Sequence, residues 1–301
     1  MDEYATMVKD LLAIPVLQGQ KTDKEKFAGA KKTFTIESLM PDGRALQMGT
    51  SHNLGQGFME AFNVKFIGTD EKEHNPWYNS WGFSTRLLGA VIMIHGDDKG
   101  MVMPPKVAPI QAVIVPILFE DSKAQVLEAC NRIKADLEAH HYDVHLDARE
   151  EYSPGWKFNE WELKGIPLRI ELGPKDLAKG EVVIARRDNG KKSFVKINEV
   201  HEAVKLQLEE MHHDMFMKAK NFLDGNRVEA LTMQELLHHI KERKLVLVPF
   251  CGSAQCEESL KDKTNGAGSR CSPFAHKLDK NATCIECGNK ATTMTYFAKA
   301  Y

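Results

Sequence analysis

Residues 81–105 read WGFSTRLLGAVIMIHGDDKGMVMPP, and their reading decides how the rest of the chain is placed. Gly82-Phe83-Ser84-Thr85-Arg86 runs directly into an almost unbroken apolar segment, Leu87 to Ile94. Ser84 or Thr85 suits a helix N-cap, because a hydroxyl oxygen accepts from the free N–H groups of the first turn. An apolar run with no polar stripe predicts a helix buried on all sides. Arg86 then falls in the first turn, where the helix dipole disfavours a cation unless an anion is close. A planar, permanently charged guanidinium in that place suits a phosphate or the face of a base. The plainer reading pairs it with a local carboxylate. His95 to Gly100 predicts a polar turn, and Met101-Val102-Met103 a short strand ending at Pro104-Pro105.

Upstream, Tyr4 to Ala13 has the pattern of an amphipathic helix, and the Lys-rich run Leu17 to Ala30 reads as an exposed loop. Thr33 to Leu39 alternates like a strand, Met40-Pro41-Asp42-Gly43 is a turn, and Arg44 to Met48 returns as a second strand. Gln47 to Gln56, QMGTSHNLGQ, mixes small residues with short polar groups and is expected to form a loop that receives a ligand's polar atoms. His52 taken alone reads as a loop histidine bonded to backbone.

At 301 residues the chain is expected to hold two or three domains. An apolar share of 43% supports packed cores, and without eighteen consecutive apolar residues no membrane-spanning helix is expected. The start, MDEYATMVKD, is neither a secretory signal nor an Arg-rich transit peptide, so a cytoplasmic protein is expected. The 40 basic residues against 42 acidic ones exclude a global basic footprint, so a nucleic-acid partner must be met by a local patch.

Downstream, Gln111 to Leu118 reads as a buried strand, Ser122 to Ala139 as a helix, and Tyr142 to Leu146, Pro167 to Leu172 and Glu181 to Ala185 as strands. This alternation argues for a parallel or mixed sheet with helices on its faces. Apolar residues at 200, 204, 208, 211 and 215 give a helical period from Glu199 to about Met217. Between Lys157 and Lys196 there are ten Lys or Arg against six Asp or Glu, with Trp156, Phe158 and Trp161 in the same region. Cations interleaved with aromatics suit unstacked RNA bases; the alternative is that the tryptophans are core and the lysines solvated. Arg186 and Arg187 read as phosphate contacts or plain surface. Asn221 to Asn226 looks like a joint, Thr232 to Arg243 a helix and Leu245 to Pro249 a strand.

Five of the six cysteines crowd the last third of the chain. Cys251-x4-Cys256 and Cys284-x2-Cys287 have the spacing of two knuckles, and four thiolates with no open position make a structural zinc site. Cys271 or His276 could replace one of the four.

GFSTRLLGAVIMIHGDDKGMVMPP resembles the third signature motif of class II aminoacyl-tRNA synthetases in its prolyl-tRNA synthetase form, and the resemblance runs from Leu11 to Tyr301. It implies a mixed α/β and α+β multidomain fold. Residues 1–107 would be the later part of the antiparallel-sheet catalytic domain, 108–217 an α/β anticodon-binding domain and 218–301 a small zinc-binding domain. The segment TSHNLGQ resembles the lining of the prolyl-adenylate site. By that match Gln47, Thr50, Ser84 and Arg86 would bind ATP, Gln47 would lie near magnesium, and His52 would line the proline pocket. Activation is in-line attack of a carboxylate on the ATP α-phosphate, so positioning and positive charge do the catalytic work and no covalent or acid–base group is expected. PGWKFNEWELKGIPLRIELGPKDL resembles the anticodon-binding domain, which implies that Phe158, Glu162, Arg169, Lys175 and Asp176 read anticodon guanines of tRNA(Pro). The cysteine-rich end resembles the zinc appendix of eukaryotic and archaeal-type prolyl-tRNA synthetases, implying Cys251, Cys256, Cys284 and Cys287 as zinc ligands. Relatives end in tyrosine, and Tyr301 keeps it.

Met48 stands where the family often has glycine, and the first and second class II motifs are not found. The chain alone is therefore expected to activate proline poorly. The family is dimeric, which implies a homodimer formed through the motif not found here. Two rivals belong to other classes. A non-catalytic tRNA-binding paralogue would have no reason to keep Gln47, Thr50, His52 and Arg86 together, and a zinc-ribbon scaffold leaves QMGTSHNLGQ and GFSTR unexplained. A threonyl, histidyl or glycyl enzyme would share the plan without TSHNLGQ and the cysteine-rich end.

Overall fold

The alternation of TFTIESL is realised as the strand Lys32–Leu39, which turns at Gly43 (φ 78°) and returns as Ala45–Gly55. This computed structural model describes residues 1–301. The return strand is longer than its sequence suggests. Gln47 to Gly55, expected as a loop, is strand: it pairs with Lys32–Leu39 as far as Asn53, and from Thr50 onward also with Tyr78–Gly82. Its small residues serve close packing rather than turning: a Cβ added at Gly49 would stand 2.9 Å from the Phe83 ring. The complete sheet is antiparallel, in the order Ser272–Pro273, Leu17–Gln20, Lys32–Leu39, Ala45–Gly55, Tyr78–Gly82. Leu17 to Ala30 therefore begins as a strand, and Lys21 is buried with its Nζ 2.7 Å from Glu37.

Chain contacts gather residues 1–9, 15–90 and 220–301 into one unit and residues 10–14 and 91–219 into another. In the first unit a second sheet runs Arg227–Glu229, Leu245–Phe250, Thr293–Ala298, Gly268–Ser269, with only the first pair parallel. Val246, Val248 and Phe250 face the helices Met233–Lys241 and Ala254–Lys263 through Leu236, Ile240 and Leu260. Leu245 and Leu247 face the other way, towards Leu39 and Ala45 of the first sheet. Thr232 caps its helix by accepting from Glu235 N–H, while Glu235 accepts from Thr232 N–H.

The second unit holds a mixed sheet in the order Lys192–Lys196, Glu181–Arg186, Leu168–Leu172, Ala112–Pro116, Val144–Leu146, the last three parallel. Ala112, Ile114, Leu168, Ile170 and Leu172 form the core with Val126, Ile133 and Leu137 of the helix Lys123–Ala139 and with Val200, Val204 and Leu208. On the opposite face Val113 and Val115 are covered by Trp161 of the helix Pro154–Leu163. That helix packs on Ala112–Pro116, and on the same face Lys192 and Phe194 of the edge strand are exposed.

Three further expectations differ from the structure. The helix Arg86–His95 is not buried all round, since Leu88 and Ile92 are 65% and 50% exposed; an unbroken apolar run does not say which side packs. Met101 to Met103 form no strand, although Met101 and Met103 N–H groups donate to Leu163 and Gly165 carbonyls. Asn221 to Asn226, read as a joint, is not a loop, because the helix that begins at Val200 continues to Gly225; the division between the two units falls just before it, at 219–220.

Candidate nucleic-acid interface, nucleotide strand and thiolate cluster

Ser153, whose Oγ accepts from Trp156 N–H, and Pro154 start the helix Pro154–Leu163. Helical spacing sends Lys157 and Trp161 into the protein and puts Phe158 and Glu162 one turn apart on a flank. This flank borders a cavity of about 430 Å³ lined by Lys99, Phe158, Asn159, Glu162, Arg169 and Arg187, among others. The Arg169 guanidinium lies 4.1 Å from the Phe158 ring centroid, and its Nε and Nη2 donate to Glu171 Oε1 at 3.0 and 2.9 Å. Lys192 reaches Glu171 Oε2 at 3.0 Å and stands 5.9 Å from the Phe158 ring, while Lys99 meets Glu162 at 3.1 Å. The cavity thus offers a ring face, a carboxylate and forked donors, a set that matches a base with both donor and acceptor edges.

Phe158, Glu162 and Arg169 are brought together, whereas Lys175 and Asp176 do not line this cavity. They lie beyond the far end of Arg169's strand, Leu168–Leu172, and Asp176 Oδ2 accepts from Gly173 N–H at 3.1 Å as part of a helix cap. Arg186 and Arg187 are not open surface. Arg187 is buried, donating to both Asp97 oxygens at 2.7 and 2.6 Å and to Glu162 O at 2.7 Å. The bonds from Arg187 hold the Asp97 carboxyl down at about 2. Trp161 is core, but Trp156 is 43% exposed, so the two tryptophans divide between the rival readings. Sequence reasoning did not single out Asn159, Lys99, Lys192 or Glu171; of these, Glu171 and Lys192 meet across the strand Glu181–Arg186 through sheet register.

On the antiparallel sheet, the pairing skips Met48: Gly49 pairs with Ile36 but Gln47 with Glu37. This bulge returns Gln47 to the face that carries Thr50 and His52, despite their uneven spacing. The His52 ring sits between two hydroxyls, Thr33 Oγ1 2.9 Å from Nδ1 and Thr50 Oγ1 3.0 Å from Nε2. Burial lowers its pKa below the ordinary value, so the imidazole is neutral at pH 7. The pairing of Thr50 with Gly82 brings the segment after Gly82 alongside this strand. Arg86 Nη1 then donates to Gln47 O at 3.1 Å, and Ser84 Oγ accepts from Arg86 N–H at 3.3 Å. The Arg86 side chain is exposed, and neither of its hydrogen bonds is to a carboxylate.

Cys251, Cys256, Cys284 and Cys287 bring four sulfurs within 4.8 Å of one another, with Cys251 and Cys287 4.0 Å apart. A tetrahedral ion with bonds of about 2.3 Å needs sulfurs about 3.8 Å apart, so the cluster fits zinc. Burial pushes the Cys251 and Cys256 thiols up, whereas a bond from Asn289 N–H pulls Cys287 down. Neither alternative ligand is close by. Cys271 is buried in a different cluster, beside Gly19, and His276 Nε2 lies 2.8 Å from Glu229.

A family profile described as an anticodon binding domain matches residues 111–207, which include the whole cavity-bearing helix and sheet. A second, described as the C-terminal part of prolyl-tRNA synthetase, matches residues 233–301, the stretch with all four clustered cysteines. Proteins named proline–tRNA ligase are similar over the full length. The one from Natranaerobius thermophilus is 46% identical over 304 residues, covering 100% of this chain and 62% of its own length. Over its whole length the chain is similar to members of the prolyl-tRNA synthetase family. Other members include a proline–tRNA ligase 2 of Bacillus cereus, 47% identical over 99% of this chain, and the ligase of Oceanobacillus iheyensis, 46% identical over 100% of it. The chain spans 62% of the length of these curated relatives, so it carries part of what a prolyl-tRNA synthetase contains.

Proposed function

We propose that this chain supplies the anticodon-reading part and one wall of the adenylate site of an ATP-dependent prolyl-tRNA synthetase, which activates L-proline and transfers it to tRNA(Pro). The observation that carries the reading is the convergence of Phe158, Glu162 and Arg169 on one cavity. There a guanine would give its N1 and N2 protons to Glu162 and accept at O6 and N7 from Arg169, whose guanidinium is supported by the Phe158 ring. The Glu171 carboxylate holds Arg169 in place for this. Lys175, exposed at the start of the next helix, would meet the backbone or a second guanine, with Asp176 fixing the turn.

On the antiparallel sheet, Arg86, Thr50 and Ser84 would hold ATP. His52, neutral and fixed between two threonines, would present an uncharged wall to proline. Placing a carboxylate and an α-phosphate in line requires cationic screening of two anions, and Arg86 supplies it in this chain. Magnesium fits less well. Glu37, opposite Gln47 in the ladder, is occupied by Lys21 and Arg270, which leaves the Gln47 amide oxygen as the donor at this position. The thiolate cluster would hold a closed, structural zinc, whose contribution is folding energy rather than chemistry.

The test is binding of the chain to tRNA(Pro) and to the same RNA with its anticodon guanines replaced. Loss on replacement, with the preference abolished by Glu162→Ala, is the expected result. Equal, salt-sensitive binding to both RNAs overturns the assignment and favours a zinc scaffold with a nonspecific surface.

A further inference from the structure

The open face of the mixed sheet carries an aromatic side chain that nothing above uses. In the edge strand Lys192–Lys196, Ser193 and Val195 turn inward while Lys192, Phe194 and Lys196 are exposed. Phe194 is 69% exposed, unusual for a phenyl ring in the middle of a strand. Register fixes what lies beside it. Ala185 pairs with Arg169 on one side and Lys192 on the other, and Val183 pairs with Glu171 and Phe194 in the same way. Residues paired across strands share a face, so Arg169, Glu171, Lys192 and Phe194 stand on one surface. With strands about 4.8 Å apart and a two-residue rise of about 6.8 Å, Phe194 lies about 12 Å from Arg169.

We propose that Phe194 is a stacking platform for a second RNA base, a neighbour in the same strand of the base held at the Phe158 cavity. This rests on the reading of that cavity as an RNA site. The ring offers a π-face to any base without reading its edges, so it contributes affinity and not sequence choice. Lys192 and Lys196, two residues to either side, place ammonium groups where the connecting phosphates run. Lys192 also touches Glu171, which joins the platform to the Arg169 side of the cavity.

The experiment uses the full chain and an anticodon stem–loop RNA with 2-aminopurine next to the anticodon guanines. Binding quenches the probe, because stacking on a ring removes it from water. Phe194→Ala is expected to weaken binding about tenfold, the loss of one base–aromatic stack. It should relieve the quench while leaving the ratio of affinities for guanine and guanine-replaced RNAs unchanged. Phe194→Tyr should retain both affinity and quench. Since the ring is on the surface, neither variant removes core packing. Unchanged affinity with Phe194→Ala overturns the proposal, as does a loss confined to guanine-containing RNA. If wild-type chain shows no guanine preference, the cavity reading fails by itself, and the affinity and quench of Phe194→Ala still decide the platform.

Discussion

Asp147→Ala should cost far more than its place outside the cavity suggests, because the carboxylate organises the helix that carries Phe158 and Glu162. Asp147 is buried and accepts from Arg149 Nε and Nη2 at 2.8 and 2.7 Å and from Trp161 Nε1 at 2.8 Å. Lys157, also buried, donates from Nζ to Asp147 O at 3.0 Å and stands 3.8 Å from Oδ1. Burial works against ionisation of Asp147, yet the bonds from Arg149 and Trp161 and the charge of Lys157 outweigh it and hold the carboxyl well below the usual range. Alanine leaves an ammonium in the interior without a counter-charge and an indole N–H without an acceptor. Breaking a buried pair from one side typically costs about 3–5 kcal/mol. Lys157→Met is the counter-test: it removes the buried cation, fills the same space, and leaves Asp147 with Arg149 and Trp161, for a cost of about 1 kcal/mol. Urea denaturation by far-UV circular dichroism measures both, and amide exchange in residues 154–163 locates the effect. Equal costs for the two variants, or a cost under about 1 kcal/mol for Asp147→Ala, would refute the reasoning.

Protein purified under reducing conditions should hold one zinc per chain; Cys284→Ser should lose it and Cys271→Ser should keep it, as read by metal analysis. Zinc affinity should also fall as pH is lowered, since Cys251 and Cys256 have thiols that burial keeps protonated and the metal must displace those protons. His95 is buried with Nε2 donating to Leu12 O at 2.8 Å, and burial lowers its pKa from 6.5 to about 4. Because the folded value is the lower one, its contribution is complete above pH 6.5 and is lost as pH falls towards 4, about 3 kcal/mol in all. Wild type minus His95→Asn stability should show that slope between pH 7 and 4, and a flat difference would count against it.

Elements whose period matches their environment were legible in the sequence: the hairpin from Thr33 to Met48, the helix that starts at Thr232 and the strand–helix alternation after residue 110. QMGTSHNLGQ misled because small polar residues serve both turns and tightly apposed strands, and the bulge at Met48 that aligns Gln47 with Thr50 has no local signature. Phe158, Glu162 and Arg169 could be named from their motif, yet the occupation of Arg186 and Arg187 depends on Asp97 and Asp214, distant in sequence. Cysteine spacing identified the four thiols, while only the fold separates Cys271 from them.

The sheet that carries Thr50 and His52 is edged by Ser272–Pro273, and Ala45 N–H donates to Lys299 O, so its unit is sewn from both ends of the sequence. During synthesis the stretch from 91 to 219 emerges with nearly all its contacts available, and can condense first. The strands already made before residue 90 must wait for the final 82 residues, from 220 to 301, before their edge and apolar face are covered. At bacterial-to-eukaryotic elongation rates that delay is roughly 4–16 s. Over that interval an unfinished β-edge is open to pairing with other chains, so a ribosome stalled before the cysteine-rich end releases a product prone to aggregate.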